Sequence, residues 1–153
     1  MTTGTHTPFI LAACAEMIFT DLPILERIRR IDDRGLEVEI WDWTAPDKDL
    51  EAMAATGATF GSMTGYISGR LADDEGAKEF LDSAKRSIEA AKTLGCRRLN
   101  FHGTGLGPGG LPVTPCTEVT GFMWAKAALT VEKLARLGED ADVVFTLENL
   151  NLP

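Results

Sequence analysis

A carboxylate at the mouth of a buried strand can move a proton or hold a cation, and Glu148 stands in such a position. The run Val143-Val144-Phe145-Thr146-Leu147 before it is apolar and β-rich, so it reads as a strand that delivers Glu148 at its end. Burying an unpaired carboxylate there is costly, and it calls for a cation, a metal or hydrogen-bond donors. No lysine or arginine lies within ten residues of Glu148 along the chain. That favours a metal or a polar substrate, and the alternative is a frayed strand end with a solvated side chain.

Other polar residues fall where apolar runs give way to loops: Glu16, Glu39 with Asp42, Thr64, Asn100 with His102, and Asn149 beside Glu148. In "VEIWDW", alternation sets Val38 and Ile40 on one face and Glu37, Glu39 and Trp41 on the other, so Glu39 is either a site residue or part of a solvated edge. His102 follows "LNF" and precedes Gly103, sharing a face with Asn100; it fits a binding role or a hydrogen-bonded structural one. The segment "GLGPGG", residues 105–110, has the GxGxxG form. A dinucleotide fingerprint opens directly onto a helix, however, and here Leu-Pro-Val-Thr-Pro intervenes, so a loop bordering a site is the better reading and no nucleotide is expected. Trp41, Trp43 and Trp124 read as core or subunit-contact residues, with Trp43, next to Asp42, the best placed to meet a substrate.

The elements that must position these residues follow one grammar. Strands are expected over 9–14, 36–41, 58–66, 96–103 and 141–150, and helices over 20–35, 45–57, 73–95 and 117–140. Leu22, Leu25, Ile28 and Ile31 recur at helical spacing, as do Ala77, Phe80, Leu81, Ala84, Ile88 and Ala91. Thr20 or Asp21 can cap the first helix, Pro23 suits its first turn, and Gly35 can end it. No Asn-Gly hairpin separates successive strands, so β-α alternation predicts a parallel sheet with right-handed crossovers. Two architectures share that grammar, an open doubly wound sheet and a (β/α)8 barrel. Five strands and four helices, by themselves, suit the open sheet more simply.

Length and composition narrow the function. The 153 residues, 44% hydrophobic, suffice for one domain with a core over 8–153, preceded by a small polar tail over 1–7. A net charge of −8 would repel nucleic-acid phosphates and anionic lipid, so small molecules or proteins are the expected partners. The N-terminal stretch has no basic region before its apolar run, which Glu16 interrupts, so neither a signal peptide nor a membrane span is expected. Cys14, Cys96 and Cys116 are odd in number and widely spaced, as suits reduced thiols in a cytoplasmic protein.

The segments "AEMIFTDLPILERIRRIDDRGLEVEIWDW", "SMTGYISGRLAD", "LNFHGTG" and "FTLENLN", in this order from about residue 9 onward, resemble the hydroxypyruvate isomerase branch of the xylose isomerase-like sugar isomerase and epimerase superfamily. The resemblance implies a (β/α)8 TIM barrel of which this chain holds about five strands and four helices. It implies that Glu148, ending strand five, is one of two catalytic glutamates that move a proton between adjacent carbons through an enediolate. Glu148 would also ligate a divalent metal, Mg or Mn, where one is used, while Glu39 and His102 would line the substrate pocket. The implied reaction interconverts hydroxypyruvate and 2-hydroxy-3-oxopropanoate, with a related ketose 3-epimerase or sugar isomerase as the alternative. Because that substrate is an anion, Arg70 in the loop after strand three is a further substrate-binding candidate. Strands six to eight, with the other metal ligands and the second glutamate, are not in these 153 residues. The chain alone is therefore expected to be inactive, and its open sheet edges are templates for association, including a homo-oligomer.

Overall fold

The computed structural model describes residues 9–105, 107 and 112–149. The tail expected over 1–7, most of "GLGPGG" and residues 150–153 lie outside the described residues. Among the described residues nine elements alternate: β1 (Ala12–Cys14), α1 (Ile24–Asp32), β2 (Glu37–Ile40), α2 (Leu50–Ala54), β3 (Phe60–Thr64), α3 (Asp74–Leu94), β4 (Arg98–Phe101), α4 (Gly121–Ala141) and β5 (Val144–Leu147). All five strands are parallel, in the order β1-β2-β3-β4-β5. A doubly wound sheet reverses its order at a switch point. This one does not, and consecutive helices pack on one another, which is the progression of a barrel wall.

One face of each strand meets the helices. Val38, Ile40, Met63 and Leu99 are buried with Ile28 and Ile31 of α1, Met53 of α2 and Ile88 and Ala91 of α3. A second cluster joins Tyr66, Phe80, Phe101 and Leu134 under α3 and α4. Of the six α3 residues expected on one face, Ala77, Phe80, Ala84, Ile88 and Ala91 are buried, and Leu81 packs at the margin. Removing this apolar surface from water, at roughly 25 cal/mol per Å², is the main stabilising term.

Several boundaries move inward, each for a local reason. Pro23 is the N-cap of α1 and no side chain caps it. Residues 19–22 instead form a turn, begun by Phe19 at φ 54°, whose carbonyls are held by Arg27: Nε donates to Leu22 O at 2.6 Å and Nη2 to Thr20 O at 2.9 Å. Helix α2 starts at Leu50 because Asp49 caps it, accepting from Ala52 N at 3.0 Å. Lys48, expected inside that helix, is turned away into the ion pair described below. The run 9–14 has the composition of a strand buried on both faces, yet Phe9, Ile10 and Leu11 are 74, 75 and 56% exposed. Among the described residues β1 has a strand neighbour on one side only, β2, so the sheet edge at its start is open. The opposite edge is equally open: Val144 and Leu147 of β5 are exposed, beside an apolar groove of about 320 Å³ formed with Leu134 and Val131 of α4.

Candidate active site at the strand C-termini

Strand alternation puts the polar candidates together on the face away from the helices. Register pairs Cys14 with Glu39, Glu39 with Ser62, Thr64 with Asn100, and Asn100 with Thr146. Since Leu99 and Phe101 face the helices, Asn100 and His102 face the other way, and Glu148 follows Thr146 on that side. Glu148 is anchored twice to β4. Its backbone N donates to Phe101 O at 2.7 Å, and its carboxylate accepts a hydrogen bond from Asn100 Nδ2. Among the described residues no lysine or arginine pairs with it. The side chain is exposed, so solvent and one amide support its charge.

His102 sits at the end of β4 in a triangle of short contacts. Nδ1 lies 2.6 Å from the Tyr66 hydroxyl and 2.6 Å from Thr104 O, and the Tyr66 hydroxyl donates to the same carbonyl at 2.6 Å. Tyr66 is buried against Phe80, with ring centroids 4.6 Å apart. Burial pushes the Tyr66 hydroxyl well above its ordinary value of 10.0, and the Glu148 charge pushes it further the same way. Reading the sequence did not single out Tyr66; its place at the exit of β3, two residues after Thr64, was the available signal.

At the β1–β2 corner, Glu39 is half-buried beside Cys14. Glu16 forms an ion pair with Lys48, accepts from Trp41 N at 3.1 Å, and receives the Cys14 thiol at 3.2 Å. Lys48 also donates to Asp42 O at 2.7 Å, and its side chain is only 3% exposed. A lysine that joins the exits of two strands has no sequence signature, and it was missed. Trp43, placed by its sequence neighbours near a substrate, instead packs on the core and donates Nε1 to the buried Ser87 Oγ at 2.9 Å. Trp41 and Trp124 are 48 and 71% exposed, outside the core. Arg70 is committed to the start of α3: its guanidinium grips Asp73 through Nε at 2.8 Å and Nη2 at 3.2 Å, while Asp73 caps the helix through Gly76 N at 2.8 Å.

All three cysteines are free. Burial, with Glu16 and Glu39 adding to it, pushes the Cys14 thiol from an ordinary 9.0 up to about 12. The thiolate is the nucleophile, so at about pH 8 a thiol reagent is expected to label exposed Cys116 quickly and Cys14 and buried Cys96 slowly, read by peptide mapping. Fast labelling of Cys14 would contradict that environment. The folded thiol keeps its proton to higher pH than an unfolded one, so the stability it contributes is intact below pH 9.0 and is lost as pH climbs towards 12.

The donor set does not complete a metal centre. Among the described residues no three His, Cys, Asp or Glu side chains converge, and Glu148 with the Asn100 amide supplies one carboxylate. A divalent ion bound there would need ligands from outside the described residues.

No family model matches the sequence, and no curated protein matches it. Solved structures do. The 3-keto-D-glucoside 4-epimerase of E. coli, 20% identical, aligns over 93% of this chain and 56% of its own with a TM-score of 0.70. An L-ribulose 3-epimerase, 19% identical, aligns over 92% of this chain and 50% of its own at 0.64. A D-psicose 3-epimerase, 12% identical, aligns over 94% and 53% at 0.65. The chain spans about half the length of the structures it matches. At such identities the likeness is one of fold. The five parallel strands and their helices form part of a (β/α)8 TIM barrel, the fold these sugar epimerases share.

Proposed function

We propose that this chain carries the first part of an isomerase or epimerase site for a small hydroxy-ketone. The observation that supports this most is Glu148, fastened to β4 through Asn100 and Phe101 on the face that also bears Glu39 and His102. Next to a carbonyl, a C–H proton is acidic enough for a carboxylate to take when the resulting enediolate is held by hydrogen bonds. Glu148 would take that proton, Asn100 would hold the carboxylate oriented, and His102 and Glu39 would contact the substrate's oxygens. Return of the proton to the adjacent carbon, or to the opposite face of the same carbon, distinguishes isomerisation from epimerisation. Epimerisation needs a second acid on the other side of the substrate, and the resemblance assigns that role to a glutamate ending strand eight. A bound Mg or Mn would add charge stabilisation of the enediolate, with Glu148 as its ligand from this chain.

The first reading of the substrate is hydroxypyruvate, interconverted with 2-hydroxy-3-oxopropanoate, as the resemblance implies. A specific observation favours a neutral ketose as the second: Arg70 is taken by Asp73 and Lys48 by Glu16, so neither cation is free to receive a substrate carboxylate. Solvent deuterium incorporation into hydroxypyruvate, D-psicose and L-ribulose decides between them, measured on a complete barrel containing these residues. Exchange into hydroxypyruvate at least roughly tenfold faster than into either ketose is expected. Exchange into a ketose alone would replace the first reading by the second, and exchange into none would sink both. Residues 1–153 by themselves are expected to be silent, because the second glutamate and the other metal ligands that the resemblance implies are not among them.

A further inference from the structure

The Tyr66–His102–Thr104 triangle does more than pack the end of β4. A carbonyl oxygen only accepts hydrogen bonds, and Thr104 O lies 2.6 Å from Nδ1. If Nδ1 carried a lone pair, two acceptors would face each other at that distance, so Nδ1 must carry the proton. The Tyr66 hydroxyl has a single proton and donates it to Thr104 O at 2.6 Å, leaving its own lone pairs towards Nδ1–H. The single Nδ1 proton is then shared between Thr104 O and the Tyr66 oxygen, and all three contacts are satisfied with Nδ1 protonated. The ring's edge-on contact with Tyr66, centroids 5.3 Å apart and planes at 79°, fixes the orientation as well. Nε2 has no partner among the described residues.

We propose that Tyr66 is a positioning residue that, with the Thr104 carbonyl, locks the uncharged form of the His102 ring as the Nδ1–H tautomer, so that Nε2 then presents a lone pair to a substrate hydroxyl. The chemical class this corner accepts is therefore a hydrogen-bond donor, a hydroxyl rather than a carboxylate or a ketone oxygen. Naming the ligand group rests on the isomerase or epimerase reading. The tautomer itself does not, and its test needs no turnover.

The sequence has two histidines, His6 and His102, so a His6→Gln variant of the 153-residue chain leaves one imidazole to observe. Two-bond 1H–15N correlation spectra at about pH 8.5, where an ordinary imidazole is neutral, report which ring nitrogen is protonated. The Nδ1–H form is expected to dominate by about ten to one, the bias of one well-made hydrogen bond. Tyr66→Phe keeps the ring that stacks on Phe80 and removes the hydroxyl, and the ratio is expected to fall towards about two to one. A wild-type spectrum dominated by Nε2–H would overturn the proposal outright, whatever the variant does. Equal ratios with and without the hydroxyl would overturn the role given to Tyr66.

Discussion

Gly69→Ala is expected to destabilise the fold by about 2–5 kcal/mol, from left-handed backbone strain of about 1–2 kcal/mol and steric overlap of about 1–3 kcal/mol. Gly69 has φ +99°, and a Cβ built there would lie 2.2 Å from Phe80 N, 2.5 Å from Phe80 Cα and 2.6 Å from Gly76 O. Every one of those atoms is backbone of α3, so no side chain can swing aside, and the helix itself must move. Phe80 is fully buried among Tyr66, Leu71, Phe101 and Leu134, and displacing α3 opens that cluster. The loss is a large share of the roughly 5–15 kcal/mol that holds a domain together. Gly57→Ala is the control: φ is +75°, but nothing lies within 4 Å of the added carbon, so only about 1 kcal/mol is at stake. Urea unfolding followed by circular dichroism checks both. Equal midpoints for the two variants would show that the close approach of the β3–α3 loop to the helix does not matter.

Replacing Glu148 by Gln should lower proton transfer in the complete barrel by about 10²–10⁴-fold, the usual worth of a positioned general base. The amide keeps the side chain's size and can still meet the Asn100 side chain, while the basic oxygen is lost. Because the residue is exposed and accepts that one amide hydrogen bond, the urea midpoint should move by less than about 0.5 kcal/mol equivalent. Activity and stability therefore separate. The reading is tested by the ratio of kcat/KM for the two proteins at matched folding, and turnover within about threefold of the unmodified barrel would remove Glu148 from the chemistry.

How much of this is legible in the chain differs from one residue to the next. The alternation of Val38, Glu39 and Ile40 is enough to set Glu39 apart from the core, because a strand turns successive side chains to opposite faces. The same reasoning puts Asn100 and His102 on one face, as found. Helix α3 is legible almost to its ends, from Asp73 at the cap to Gly95 in the left-handed conformation beyond Leu94. Where the reading fails, a distant residue has intervened: Lys48 leaves its expected helix for Glu16, and Trp43 turns to Ser87, which is 44 positions away. Arg70 has the charge a substrate anion would want, but Asp73, three positions on, already holds it.

By itself, the sequence determined the alternation of strand and helix, the parallel sense, and the two faces of each strand, since all of these come from periodicities a few residues long. Tertiary structure decided the strand order β1-β2-β3-β4-β5, which removed the doubly wound alternative. It also decided the partnerships at the strand ends: Asn100 with Glu148 across 48 positions, and Tyr66 with His102 across 36. Contacts of that span are set by which strands lie side by side and in what register. No local pattern encodes that choice; it emerges when the helix-facing surfaces close on one core.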